Sequence, residues 1–171
     1  PLDDILKVAG AVMVARGDLG IEVPLERVPR LQKEILKHAR FRGVPVIVAT
    51  QVLESMRTED RPTRAEVSDA AGAVDGDADA IMLAGETAAG DHPVRTVQVL
   101  DAIIRDAEST PPPPWTQRTA DTTGVDPGTA LCDAAVTLAN RSSADAILAI
   151  TRAGWTARLL AARRPRAKIV A

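Results

Sequence analysis

Three apolar runs, Ala11 to Ala15, Val44 to Ala49 and Ala80 to Ala84, pass directly into polar or glycine-bearing residues, and a helix-period stretch follows each. Apolar runs of this length, bounded by turn residues, predict parallel strands covered on both faces. Pro45 is compatible with a strand only near its start. Leu2, Ile5 and Leu6 have helical spacing, so Leu2 to Val8 reads as the end of a helix feeding the first strand. After that strand Pro24 and Pro29 suit first helical turns, and Leu31, Ile35, Leu36 and Ala39 form one apolar stripe ending at Gly43. After the second strand, Glu54 to Arg61 reads as a charged loop. Thr63 and Glu66 then have the spacing of a capping box, opening a helix to about Val74. Gly85 to Ala88 reads as the loop after the third strand, and Asp91-His92-Pro93 opens a helix with Val94, Val97, Leu100, Ile104 and Ala107 inward. His92, with no Ser, Cys or second His nearby, reads as a surface or capping residue.

Strand and helix thus alternate three times, the pattern of βαβ units. Three units do not close an eight-stranded barrel and would leave two open edges, so further units are expected from a longer parent chain or a partner. Periodicity stops at Ser109. Residues 109–126, with four consecutive prolines from Pro111 to Pro114, read as a linker that is stiff at first and then flexible. Beyond it the pattern gives a helix over Ala130 to Asn140 and a strand over Ala146 to Ile150. A polar turn over Thr151 to Thr156 leads into a helix reaching about Arg163, where Pro165 stops it, and Lys168 to Val170 is strand-like. Trp155 reads either as core or as an exposed stacking surface.

The composition narrows the classes of function. With 171 residues and 46% hydrophobic positions the chain can bury a sizeable core. Its 21 basic and 23 acidic residues leave a formal charge of -2, without the electrostatic footprint of a nucleic-acid or anionic-membrane binder. A small-molecule partner is expected. Cys132, the single cysteine, excludes an internal disulfide and reads as a small buried hydrophobe. There is no apolar run of the roughly 20 residues a membrane helix needs and no signal peptide, so a cytoplasmic location is expected. The start at Pro1 and the stop just after a strand suggest part of a longer design.

Candidate chemistry gathers where the strands end. Gly17 and Gly20 allow tight backbone and close approach of a ligand, and Asp18 offers a carboxylate suited to a hard cation such as Mg²⁺. Thr50 and Gln51 occupy the matching end of the second strand. In the later turn, hydroxyls and amides at a helix start suit an anion, while simple capping by Thr151 or Thr156 explains the same residues.

Four blocks, Val14-Ala15-Arg16-Gly17-Asp18-Leu19-Gly20, Ala49-Thr50-Gln51-Val52-Leu53-Glu54-Ser55-Met56, Pro62-Thr63-Arg64-Ala65-Glu66 and Gly85-Glu86-Thr87-Ala88, stand in the order and spacing that resembles pyruvate kinase. The resemblance implies an α/β fold: residues 1–108 as the last three units of a partial (β/α)8 TIM barrel, 109–126 as linker, and 127–171 as the start of an α/β C-terminal domain. It implies phosphoryl transfer from phosphoenolpyruvate to ADP, giving pyruvate and ATP, with Mg²⁺ and K⁺ as cofactors and a homotetramer as the assembly. Asp18 would ligate Mg²⁺, the amides of Gly17 and Asp18 would hold the substrate carboxylate, and Thr50 would bond the same carboxylate beside the carbon to be protonated. Thr151, Arg152, Gly154 and Thr156 would match the loop that takes the phosphate of an activating sugar phosphate. The family's catalytic lysine and glutamate metal ligand would fall before Pro1, its ATP and K⁺ contacts earlier still. Of the lysines present, Lys7, Lys33, Lys37 and Lys168, none falls at a strand end where it could substitute. Ala84 replaces a usual serine, Gly72 an asparagine, and Ala153 a serine of the effector loop. A second expectation is a non-catalytic remnant or regulatory module that binds a carboxylate or phosphate metabolite.

Overall fold

The computed structural model describes residues 2–109 and 126–171. These form two compact units, one on each side of the interval between them. The linker expected over 109–126 falls almost wholly outside the described residues. Its two ends belong to helices, Ser109 closing one and Asp126 capping the next.

The first unit runs α1 (Leu2–Val8), β1 (Val12–Ala15), α2 (Arg16–Glu22), α3 (Val28–Arg42), β2 (Val46–Ala49), α4 (Arg64–Asp75), β3 (Ala80–Met82), α5 (Gly85–Ala88) and α6 (Pro93–Ser109). The strands are neighbours in the order β1-β2-β3, all parallel. Register puts Val14, Val48 and Ile81 level on one face, and Met13, Ile47 and Ala80 level on the other. On the first face Val14, Val46 and Val48 join Leu6, Leu36, Ala39 and Ala73 in a closed core. On the second, Met13 is 53% exposed. A parallel sheet normally has both faces covered, so this open face is that of an incomplete barrel wall.

Local chemistry explains most of the boundaries. Pro29 sits in the first turn of α3, and Gly43 ends the helix at φ 67°, its N–H donating to the Arg40 carbonyl while Val44 N–H reaches that of Ala39. That left-handed exit suits glycine. The capping box forms as the spacing predicts: Glu66 N–H donates to Thr63 Oγ1 at 3.2 Å, and Thr63 N–H donates back to Glu66 Oε2 at 2.8 Å.

Several expectations need correction. Arg16 to Gly20 is no turn, because α2 starts at Arg16 without a gap after β1. Of the charged stretch 54–61, Glu54–Arg57 is a 3-10 helix. It forms because Val52, Leu53 and Met56, all nearly inaccessible, anchor it in a second core with Ala70 and Leu100. Strand β3 stops at Met82, and Gly85–Ala88 is a helical turn instead of a loop. In α6 the inward face carries Thr96, Val99, Leu100, Ile103 and Ile104, whereas Val94 and Val97 are 70% and 52% exposed. His92 has a backbone role, its carbonyl accepting from Thr96 N–H and Oγ1 at 2.9 Å.

The second unit comprises α7 (Pro127–Ser142), β4 (Ala146–Leu148), α8 (Trp155–Ala161) and β5 (Lys168–Val170), with β4 and β5 parallel. Helix α7 starts earlier than the pattern suggests, because Asp126 accepts from the N–H groups of Gly128 and Thr129. Cys132, Val136, Ala149, Leu159 and Leu160 form its core. Burial raises the Cys132 thiol pKa, as fits an inert packed side chain. Arg163 ties the helices together: Nε donates to Asp133 Oδ1 at 2.5 Å and Nη1 to the Leu159 carbonyl at 2.6 Å. Strand β4 ends at Leu148 and α8 at Ala161, both short of the expected limits, and Trp155 is 60% exposed.

Candidate functional site

Parallel strands bring their carboxyl ends to one edge, and this edge carries the candidate site residues of the first unit. The residues after β1 and β2 touch directly: Gly17 N–H donates to Thr50 Oγ1 at 3.0 Å. Asp18, the next residue of α2, is exposed, and Gly85 opens α5 three residues after β3. A Cβ on Gly17 would stand 3.5 Å from Thr50 Oγ1, ordinary contact, so the glycine is not required by space there.

Thr50 and Gln51 both have left-handed backbone, φ 66° and 52°. This conformation is costly for a β-branched residue and persists only where the surroundings impose it. The group that takes the carbonyls of both residues is Arg16, 8% exposed. Its Nε and Nη2 donate to the Thr50 carbonyl at 3.2 and 3.0 Å, Nη2 also donates to the Gln51 carbonyl at 2.9 Å, and Nη1 pairs with the Asp69 carboxylate of α4. One planar guanidinium thus joins the start of α2, the turn after β2 and the middle of α4. Five donors in a fixed fork suit arginine, and not lysine, to this place.

A second buried group joins the next pair of segments. Glu86, 1% exposed, accepts from Leu53 N–H at 3.2 Å and Ala84 N–H at 2.8 Å. On the rim, Glu66 also accepts from Ser55 N–H at 2.7 Å and Ser55 Oγ at 2.5 Å. Burial works to raise the Glu66 pKa, but the hydrogen bonds from Ser55 and Thr63 outweigh it and hold the carboxyl below its ordinary value. Sequence reading named Arg16, Glu66 and Glu86 only as parts of motifs and did not name Asp69. A charged residue inside an apolar-to-helix junction, as Arg16 is, was the available signal.

The donor set bears on a metal. Among the described residues no group of three or more His, Cys, Asp or Glu side chains could hold an ion. Mg²⁺ commonly uses one or two carboxylates together with water and substrate oxygens. Asp18 fits as one such ligand and does not make a site alone. The four lysines stand elsewhere: Lys7 on α1, Lys33 and Lys37 on α3, and Lys168 on β5.

In the second unit Thr151, Arg152 and Gly154 lie in the loop leaving β4, and Thr156 lies in the first turn of α8. Gly154 is the N-cap at φ 73°, with no side-chain cap, so neither Thr151 nor Thr156 caps the helix. Arg152 is exposed.

The family models described as pyruvate kinase, barrel domain, and pyruvate kinase, alpha/beta domain, match residues 1–97 and 129–171. The chain belongs to the pyruvate kinase family. Human pyruvate kinase PKLR is 46% identical over 99% of the chain, and the Mycobacterium tuberculosis pyruvate kinase 47% over 94%. These matches take in 30% and 33% of the two relatives, so the chain spans about a third of their length. The crystal structure of a pyruvate kinase from Cryptosporidium parvum superimposes with a TM-score of 0.88 at 39% identity, over 98% of this chain and 35% of that one. The three-stranded unit is therefore part of a pyruvate kinase β/α-barrel, and the second unit part of the family's α/β domain. Among the described residues no helix is long and apolar enough to cross a membrane.

Proposed function

We propose that this chain supplies part of the active site of a pyruvate kinase, which transfers the phosphoryl group of phosphoenolpyruvate to ADP and protonates the resulting enolate. The observation that supports this most is the contact between Gly17 N–H and Thr50 Oγ1 beside the exposed Asp18, at the carboxyl edge of three parallel strands. Because that hydroxyl accepts from Gly17, its own hydrogen is directed elsewhere and is available to a substrate carboxylate. The remaining first-turn amides of α2, Asp18 among them, have no intrahelical acceptor and suit the same anion. Asp18 would be one ligand of Mg²⁺, and the bound ion would supply charge that offsets that of the phosphoryl oxygens. Threonine is a weak acid, so Thr50 positions the substrate, and a proton reaches the enolate through it only from water.

The catalytic lysine, the second carboxylate for Mg²⁺ and the contacts to K⁺ and ADP belong to other barrel segments in this reading. A cytoplasmic homotetramer is part of the same proposal. In the second unit, the Thr151 to Thr156 loop is assigned to an effector phosphate, with Ala153 in place of the usual serine. The test is a coupled assay of pyruvate formation with phosphoenolpyruvate, ADP, Mg²⁺ and K⁺. The full-length protein turns over, while a polypeptide of residues 1–171 falls below it by at least about a thousandfold, because catalytic charge is missing. Ordinary turnover by the 171-residue polypeptide, or none by the full-length protein, overturns the proposal.

A further inference from the structure

We infer that Arg16 is a positioning residue for this reaction, acting through Thr50, and that Asp69 holds it in place. The inference rests on the function proposed above and deepens it. Thr50 stands in a backbone conformation that a threonine does not adopt unaided, and its neighbour Gln51 does the same. Both carbonyls that this turn leaves pointing inward are taken by one buried guanidinium. The same residue opens α2, so the group that fixes the Thr50 backbone also fixes the place of Gly17, whose N–H donates to the Thr50 hydroxyl oxygen. Both ends of the Gly17 to Thr50 contact are therefore set from a single side chain. Asp69, in the middle of α4, supplies the anionic partner on the outer side, where its side chain is 45% exposed.

This arrangement predicts an effect specific to Thr50 rather than a general loosening of the barrel. Methionine at position 16 keeps the length and the packing but loses every donor. Lysine keeps the charge and can still meet Asp69, but it cannot fork across two carbonyls.

The test is a double-mutant cycle in the full-length protein with Arg16→Met, Arg16→Lys, Asp69→Asn and Thr50→Val, measured as kcat and KM for phosphoenolpyruvate. Arg16→Met and Arg16→Lys each lose about tenfold or more in kcat/KM, yet Arg16→Met costs less than about threefold when Thr50 is already valine, since residues acting as a unit are not additive. Asp69→Asn gives a smaller loss of the same kind. A crystal structure of Arg16→Met is the readout independent of turnover. It shows Thr50 at negative φ and the contact with Gly17 broken. Equal losses in the threonine and valine backgrounds, wild-type behaviour of Arg16→Lys, or an unchanged turn in the Arg16→Met crystal each overturns the inference. If that variant does not fold, Arg16→Lys and Asp69→Asn carry the same cycle. An inactive wild-type protein would instead refute the proposed function, and the crystal structure would still decide the role of Arg16.

Discussion

Glu66 accepts hydrogen bonds from the start of its own helix and from Ser55 in the preceding 3-10 turn. These bonds favour its ionised form and depress its pKa, so the unfolded chain binds the proton more readily than the folded one. The stability it contributes is fully present above the ordinary carboxylate range and is lost as pH falls through the lowered value. Thermal melts of the wild type and Glu66→Ala check this. The variant loses about 1 to 2 kcal/mol at neutral pH, by loss of the cap and of the tie to Ser55, and the gap narrows on acidification. A gap unchanged at low pH contradicts the assignment. The same residue shows what could be read from sequence. Thr63 and Glu66 were legible as a capping box because the spacing is local, while the bonds to Ser55 depend on how two segments fold together.

At the scale of elements, β1, β2 and β3 were legible because each is a compact apolar run, and their parallel pairing followed from the alternation with helices. The elements between them were less so. Two glycines made Arg16 to Gly20 look like a turn, although α2 accommodates Gly17 in its first turn and Gly20 in its second. Glu54 and Arg57 made the 3-10 segment look like a loop, while Leu53 and Met56, three residues apart, already carried its buried face. Val94 and Val97 shared the helical period of α6, but period alone does not say which face a neighbour covers. The turn at Thr50 and Gln51 was illegible in principle, since threonine is a poor choice for φ near 66° and the group that takes its carbonyls, Arg16, is distant in sequence. Glu86 is the comparable tie between the segments after β2 and β3. Glu86→Ala leaves the Leu53 and Ala84 N–H groups without their carboxylate, and a loss of about 2 to 4 kcal/mol in urea unfolding is expected. A loss below about 0.5 kcal/mol would mean that the two segments hold their places without it.

For the whole molecule, the open face of the β1-β2-β3 sheet and the matches to about a third of each relative agree that these residues work as part of a larger barrel. In the proposed function Asp18 and Thr50 have different tasks at the edge where Gly17 meets Thr50, one a charge for a hard cation and the other a neutral hydroxyl for a carboxylate. The most direct measurement is a Mg²⁺ titration of initial rates for full-length Asp18→Asn and Thr50→Val, with phosphoenolpyruvate varied independently. An amide oxygen is a poorer ligand than a carboxylate but still a ligand, so excess Mg²⁺ partly restores Asp18→Asn. Thr50→Val stays impaired by about tenfold or more at every Mg²⁺ concentration, because no metal replaces its hydrogen bond. Recovery of Thr50→Val by Mg²⁺, with Asp18→Asn unresponsive, would contradict the account.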